Sequence, residues 1–419
     1  MKVIKPSEVD GRIKAPASKS ATIRAVAAAL LGDGVSGITN PSFCDDAVTA
    51  LLIARTLGAT FIRGKDRILM NGNKAFGHTR MPSEFIDCNE SGLCMRMFPP
   101  IAALAGEHRV IGGKGSLMTR PVAMVESIAD FGVACTTTHG CPPVTIDGRL
   151  RGGTAHIDGS ISSQFLSGLL LALPLCDENS RLYVRNPASK PYIEMTIRMA
   201  EHFGIAIHHD EDMTLFSVPG GQRYRPALVE IEGDWSGASF PLVAAAIAGS
   251  VSVQGLDMTS CQADRAILSA LDAAGAACNI SEGLITVEKK DLRPFQFDAT
   301  DCPDLVPPLV ALAAHCRGKS VIHGTARLRY KESDRSTALA SQFGSMGIAV
   351  DVETDRIEIQ GSRPCAATVD PSGDHRIAMA CAVTALGASG PVAISSPGCV
   401  AKSYGEFFKD LESIRSSHE

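Results

Sequence analysis

Arg329-Tyr330-Lys331-Glu332-Ser333-Asp334-Arg335-Ser336-Thr337-Ala338-Leu339-Ala340-Ser341-Gln342-Phe343-Gly344-Ser345-Met346-Gly347 sets a dense group of charges ahead of an apolar helical run and closes that run with glycine. Glycine just past the last helical turn suits the left-handed C-cap, which a side chain with a Cβ adopts only under strain. The same mark recurs. Gly58, Gly132, Gly204, Gly275 and Gly347 each follow an apolar helical segment, at spacings of 74, 72, 71 and 72 residues. A second mark, a short β-branched run, falls at Ile38, Val110, Val184, Val253, Ile322 and Ile394, at spacings of 72, 74, 69, 69 and 72. Six units result, each read as strand, loop, helix, glycine stop and strand. A repeat longer than a solenoid unit predicts an α/β chain of a few large pseudo-symmetric domains, not a long array.

The repeat also sorts the charges at the head of the quoted stretch. Asp46, Asp264 and Asp334 stand 12, 11 and 13 residues before their unit's glycine, so an acid at that helix start belongs to the scaffold, and Asp334 reads as a cap. Lys331 and Glu332 have no counterpart of the same type in the other units. Their functional reading is that Lys331 and Arg335 hold an anionic ligand while Glu332 moves a proton.

The chain has 419 residues, 45% hydrophobic and 20% charged, enough for two domains with substantial cores. A formal net charge of -5 gives no electrostatic case for nucleic acid or an anionic membrane, so an anion site must be built locally. The start, MKVIKPSEVD, lacks the apolar core of a signal peptide, and the longest apolar run, residues 165–175, is too short to span a bilayer. Thirteen scattered cysteines without a C-x-x-C pair read as buried small side chains in a reducing compartment. The expectation is a cytoplasmic protein with no metal site.

Several loops ahead of helices carry groups that anion chemistry needs. Ser18-Lys19-Ser20 with Arg24 precedes an alanine-rich helix, where backbone N–H groups and Ser20 can accept a phosphate and the cations neutralise it; a serine cap with solvated Lys and Arg is the alternative. Ser160, Ser162, Ser163 and Gln164 open an apolar helix that needs only one cap, and the excess favours a polar ligand. Ser189-Lys190-Pro191-Tyr192 lies between a strand and a helix, and Arg120 directly precedes a helix-starting proline, Pro121. Asp374-His375-Arg376 opens another helix, and Ala401-Lys402 lies near the C-terminus.

Together with Gly92, Arg96, Ser162-Ser163-Gln164-Phe165-Leu166, Asp304 and Lys331-Glu332-Ser333-Asp334-Arg335, these segments closely resemble, in order and spacing, the 5-enolpyruvylshikimate-3-phosphate synthase family. The resemblance runs along nearly the whole chain. It implies an enolpyruvyl transferase fold, an inside-out α/β barrel of two pseudo-threefold domains with three βαβαββ units each. One domain would take residues 18–231, the other residues 1–17 with 232–419, with Lys19 and Asp234 beside the hinge and the active site in the cleft. It implies a monomer without a cofactor that joins phosphoenolpyruvate to the 5-hydroxyl of shikimate 3-phosphate and releases phosphate. By similarity Asp304 is the base, Glu332 the acid, and Lys19 and Lys402 assist proton transfer and phosphate departure. Lys19, Ser20, Arg24, Ser162, Ser163, Gln164, Ser189, Tyr192, Asp304 and Lys331 resemble the shikimate 3-phosphate site. Lys19, Gly92, Arg120, Gln164, Arg335, Arg376 and Lys402 resemble the phosphoenolpyruvate site.

Three residues depart from the family pattern. Glu90 and Leu93 replace polar neutral residues, and a carboxylate beside an anion site is unfavourable unless it turns away or pairs with a cation. Arg327 stands where some members have an asparagine, and is left out of the site. Two rival readings are the sister transferase that uses UDP-N-acetylglucosamine and a silent anion-binding homologue. The first would show Lys-Asn after the first strand and a loop cysteine, whereas this chain has Lys19-Ser20 and no cysteine over residues 112–119. The second would have lost a charged catalytic residue, yet Lys19, Asp304, Glu332 and Lys402 are all present.

Overall fold

The computed structural model describes residues 1–72, 84–281 and 283–416. The chain divides into two compact units, Ala17–Ile231, and Met1–Pro16 together with Glu232–Glu419. Both are α/β, with strands and helices alternating along the chain.

Each of the six β-branched marks lies on a strand that has one parallel neighbour. In the Ala17–Ile231 unit, Val35–Thr39 lies parallel to Leu228–Glu230, Arg109–Gly112 to Phe85–Asp87, and Ser180–Arg185 to Thr154–Asp158. On its other side each pairs antiparallel with a further strand, completing three four-stranded sheets. In the other unit, Gly249–Gln254 lies parallel to Val9–Lys14, Lys319–His323 to Gln296–Asp298, and Val392–Ile394 to Ala367–Val369. The last of these sheets is closed by Lys2–Ile4, antiparallel to Val392–Ile394, where the other five use a later strand. The N-terminal strand thus completes the sixth unit. The strands show alternating burial, as in Arg67–Asn71 and Ser180–Arg185, so one face of each meets a core.

The helices that lead into these six strands are buried almost all round: Lys19–Leu31, Gly92–Ala103 and Gln164–Ala172 in one unit, Trp235–Ala248, Val306–Ala314 and His375–Ala385 in the other. Their sequences are alanine-rich or apolar on every side, the composition of a helix with no solvent face. Close approach is enforced by Gly168, where a Cβ would fall on the backbone of Met97 in the neighbouring Gly92–Ala103 helix. The outer helices, such as Lys190–His202 and Arg335–Ser345, bury one side only. Gly58, Gly132, Gly204, Gly275 and Gly347 all have left-handed φ, at 95, 80, 84, 85 and 81°, which accounts for the repeat that they mark.

Two local expectations are corrected. The apolar run over residues 165–175 is an α-helix only to Ala172, then a 3-10 turn, Leu173–Leu175, that takes up Pro174. Pro121 does not start an α-helix: Arg120 before it is extended, as a residue before proline prefers, and a 3-10 segment follows at Ala123–Phe131. Among the described residues no helix is long and apolar enough to cross a membrane. None of the thirteen cysteines forms a disulfide, and no group of His, Cys, Asp or Glu among the described residues is arranged to hold a metal ion.

Candidate active site

The starts of the buried helices position Lys19, Ser20, Arg24, Gly92, Gln164 and Arg376 among the residues singled out above. In the Ala17–Ile231 unit the Lys19–Leu31 helix is capped by Ser18, whose Oγ accepts from the Ala21 N–H at 3.3 Å. Lys19 is thereby set on the first turn, and its Nζ donates to Asp46 Oδ2 at 3.0 Å. Asp46, read from the repeat as scaffold, is the partner of a proposed catalytic lysine. Arg24 is only 1% exposed. Its guanidinium donates to Thr196 Oγ1 at 2.8 Å, the Ser20 carbonyl at 3.0 Å, the Tyr192 carbonyl at 3.1 Å and Ser167 Oγ at 3.5 Å. Those acceptors belong to three helices, so Arg24 is a buried tie between them and not a solvated cation.

At the second helix start, Ser91 caps Gly92–Ala103. A Cβ on Gly92 would lie 2.7 Å from the guanidinium atoms of Arg120, so glycine is what lets that side chain lie over the helix N-terminus. Arg96, 3% exposed, donates to the Pro121 carbonyl at 2.8 Å and to Gln164 Oε1 at 2.9 Å. Because Arg96 takes the amide oxygen, the Gln164 NH2 is oriented as a donor. At the third start, Ser162 Oγ accepts the Gln164 N–H at 3.2 Å, while the Ser163 side chain makes no capping bond. Ser189, buried and in the left-handed region at φ 54°, caps nothing with its side chain. A non-glycine held there is strained by about 1–3 kcal/mol, as functional loops often are. The Glu90 carboxylate packs onto Gly115, where a Cβ would overlap its Oε1.

The other unit holds a closed ionic network. Asp304 Oδ1 accepts from Lys331 Nζ at 3.2 Å and Arg335 Nη1 at 2.8 Å, and its Oδ2 accepts from Arg376 Nη2 at 3.1 Å. Arg335, with a side chain 1% exposed, also donates to Glu332 Oε2 at 2.7 Å and to Asp374 Oδ2 at 2.8 Å. Asp374 is fully buried and caps His375–Ala385 by accepting the Arg376 N–H at 3.0 Å. Ser333 Oγ donates to it at 3.0 Å. Asp334 is the cap of the Arg335–Ser345 helix, accepting from the Thr337 N–H, as the repeat predicts. Lys402, 5% exposed, ends the 3-10 segment Pro397–Lys402 that packs on the His375–Ala385 helix.

The electrostatics follow from these distances. Burial opposes charge on Asp304, but Arg376, Lys331 and Arg335 outweigh it and hold the carboxyl well below its usual range. Burial pushes the Lys331 ammonium down to about 8, against the pull of Asp304. Arg376 and Arg335 are raised, with Asp304 and Asp374 respectively overcoming burial, and stay charged. Three cations meet three carboxylates in a mostly buried volume. Such an arrangement handles protons and anions together.

The family model for EPSP synthase (3-phosphoshikimate 1-carboxyvinyltransferase) matches residues 3–411. The chain belongs to the EPSP synthase family. The 3-phosphoshikimate 1-carboxyvinyltransferase of Methanocorpusculum labreanum is 36% identical over 416 residues, covering 98% of each chain. That of Thermococcus kodakarensis is 38% identical over 421 residues, covering 98% of this chain and 99% of its own. The EPSP synthase structure from Acinetobacter baumannii superposes with a TM-score of 0.82 at 25% identity, covering 99% of this chain and 98% of that one. As an EPSP synthase family enzyme, the chain transfers an enolpyruvyl group from phosphoenolpyruvate to shikimate 3-phosphate.

For an EPSP synthase family site, three residues were missed by sequence reasoning as working parts. Asp46 holds Lys19, Arg96 orients Gln164, and Asp374 anchors Arg335. Each carried a signal in the sequence: Asp46 an acid at a repeated helix start, Arg96 its place beside Gly92, and Asp374 a helix start directly before His375-Arg376.

Proposed function

We propose that the two groups of side chains act on one pair of substrates and divide the EPSP synthase reaction between them. The 5-oxygen of shikimate 3-phosphate adds to C2 of phosphoenolpyruvate and C3 gains a proton; the tetrahedral intermediate then loses phosphate and a C3 proton. Asp304 takes the hydroxyl proton, Glu332 supplies the C3 proton, and Lys19 and Lys402 assist proton transfer and neutralise the departing phosphate. Arg120, Arg335 and Arg376, with the Gly92 backbone, hold phosphoenolpyruvate. Ser20, Arg24, Ser162, Ser163, Ser189, Tyr192 and Lys331 hold shikimate 3-phosphate, and the oriented Gln164 amide touches both.

The observation that carries this reading is Asp304 placed at 2.8 to 3.2 Å from three cations, beside Glu332 on the same arginine. A difference in capping supports the division of labour: the helix starts at Ser18 and Ser91 have neutral caps and keep their positive field for a phosphate, whereas Asp234 and Asp374 cap the other unit's helices. Three sheets and three buried helices in each unit support two pseudo-threefold domains with helices inside and sheets outside. The chemistry needs proton transfer and charge neutralisation, which these side chains supply without a cofactor; a cytoplasmic monomer acting on small molecules completes the proposal.

The test is phosphate release. It should require phosphoenolpyruvate with shikimate 3-phosphate, and fail when UDP-N-acetylglucosamine replaces the latter. Asp304→Ala should lower turnover by roughly 10²-fold or more, the usual scale for losing a general base. Near-normal turnover in that variant would remove Asp304 from the mechanism.

A further inference from the structure

Arg335 has two kinds of partner. Asp374 is fully buried, takes Arg335 Nε and Nη2 at 2.8 and 3.3 Å, and is itself held by Ser333 Oγ and the Arg376 N–H. Nothing that enters from solvent can replace it. On the other side of the guanidinium, Asp304 keeps 27% of its side chain exposed. Its two oxygens divide between two guanidinium groups, Oδ1 on Arg335 Nη1 and Oδ2 on Arg376 Nη2. One carboxylate bridging two arginines is the geometry that a substrate carboxylate or phosphate would adopt on the same pair.

We infer that Asp304 and phosphoenolpyruvate compete for Arg335 and Arg376, so that arrival of the substrate anion releases the base that the reaction needs. This rests on the assignment of those arginines to phosphoenolpyruvate. A carboxylate fixed by three cations is a poor proton acceptor, because each cation favours the ionised form. The substrate anion takes two of the three, and Lys331 stays on Oδ1. Asp304 then gains basicity and accepts the 5-hydroxyl proton as the oxygen adds to C2. Base strength is thereby coupled to the presence of the second substrate, and phosphoenolpyruvate binds less tightly than its arginines alone would allow.

The consequence is an inactive variant with a better substrate site. By calorimetry without shikimate 3-phosphate, Asp304→Asn should bind phosphoenolpyruvate on the order of tenfold more tightly than the parent, the scale expected when an internal competitor for a guanidinium is neutralised. Asp304→Ala, which cannot accept a hydrogen bond at all, should bind at least as tightly. Asp301→Asn is the control for long-range charge: the residue is exposed and three positions earlier, ahead of the 3-10 segment that carries Asp304, and its removal should change affinity less than twofold. Equal or weaker binding by both Asp304 variants, or equal tightening by Asp301→Asn, would overturn the competition. Turnover is read separately, so a catalytically competent Asp304→Ala would refute the base assignment while leaving the affinity comparison intact. If none of the proteins bound phosphoenolpyruvate, the assignment of the arginines would fall and the competition with it.

Discussion

Asp374→Asn is the smallest change that tests whether the ionic network is built on a buried anchor. Asp374 Oδ2 accepts from Arg335 Nε and Ser333 Oγ, and Oδ1 accepts from the Arg376 N–H and Arg335 Nη2. An asparagine has one acceptor oxygen, so whichever way its amide turns, an NH2 faces at least one N–H of Arg335 at a fully buried position. Arg335, itself 1% exposed, loses its permanent counter-charge. Removing one partner of a buried ion pair costs about 3–5 kcal/mol. The single tryptophan, Trp235, is fully buried in the same unit and reports its unfolding by fluorescence. With a urea slope of about 2–3 kcal/mol/M, the midpoint should fall by roughly 1–2.5 M. Glu353→Gln is the control, because Glu353 pairs with Arg356 at 2.6 Å but both are about half exposed, and such pairs contribute about 0–1 kcal/mol. A midpoint shift for Asp374→Asn no larger than that of the control would show that the buried anchor is not what holds the network.

Gly92→Ala should displace the Arg120 guanidinium, which a Cβ would meet at 2.7 Å, and raise KM for phosphoenolpyruvate while leaving shikimate 3-phosphate binding near the parent value; steady-state kinetics against each substrate separates the two. Arg24→Ala should weaken shikimate 3-phosphate binding and also destabilise the Ala17–Ile231 unit by about 2–4 kcal/mol, since it strands buried hydroxyl and carbonyl acceptors of three helices, and a thermal melt reads the second effect. Lys331 loses its proton near pH 8, so kcat/KM should fall above about that pH and the limb should move upward in Lys331→Arg, which stays charged. Its contribution to stability has the opposite sign: the folded protein binds fewer protons than the unfolded chain between about 8 and 10.5, so stability should rise through that window as activity falls.

The periodic parts of this molecule were legible because each is fixed by local sterics. A helix that must stop and turn needs a left-handed residue, and five glycines with φ between 80 and 95° supply it at near-constant spacing. The helices buried on every side announce themselves by alanine and apolar residues on all faces. The Lys331–Arg335 cluster was legible because its charges are adjacent in sequence. What joins the clusters was not. Asp374 meets Arg335 across 39 residues, Lys19 meets Asp46 across 27 and Arg96 meets Gln164 across 68, and these pairings arise only when helix starts are brought together by packing. For Arg24 the solvated alternative fails, because three helices supply enough oxygen acceptors to bury it. Arg120 and Pro121 misled because proline at a helix start and proline after an extended residue look alike in sequence.

In the proposed mechanism Asp304 and Glu332 divide the proton work, with Glu332 as the acid at C3. Glu332→Gln keeps the side-chain shape and can still accept from Arg335 Nη2, which Glu332 meets at 2.7 Å, but has no acidic proton to give. In deuterated water, mass spectrometry of the quenched tetrahedral intermediate reads how fast deuterium enters its methyl group. Glu332→Gln should retain shikimate 3-phosphate binding while deuterium entry and turnover slow together, by about 10²-fold or more. Deuterium entry as fast as in the parent protein would contradict it and pass the role of acid to another group, with Lys19 the first to examine.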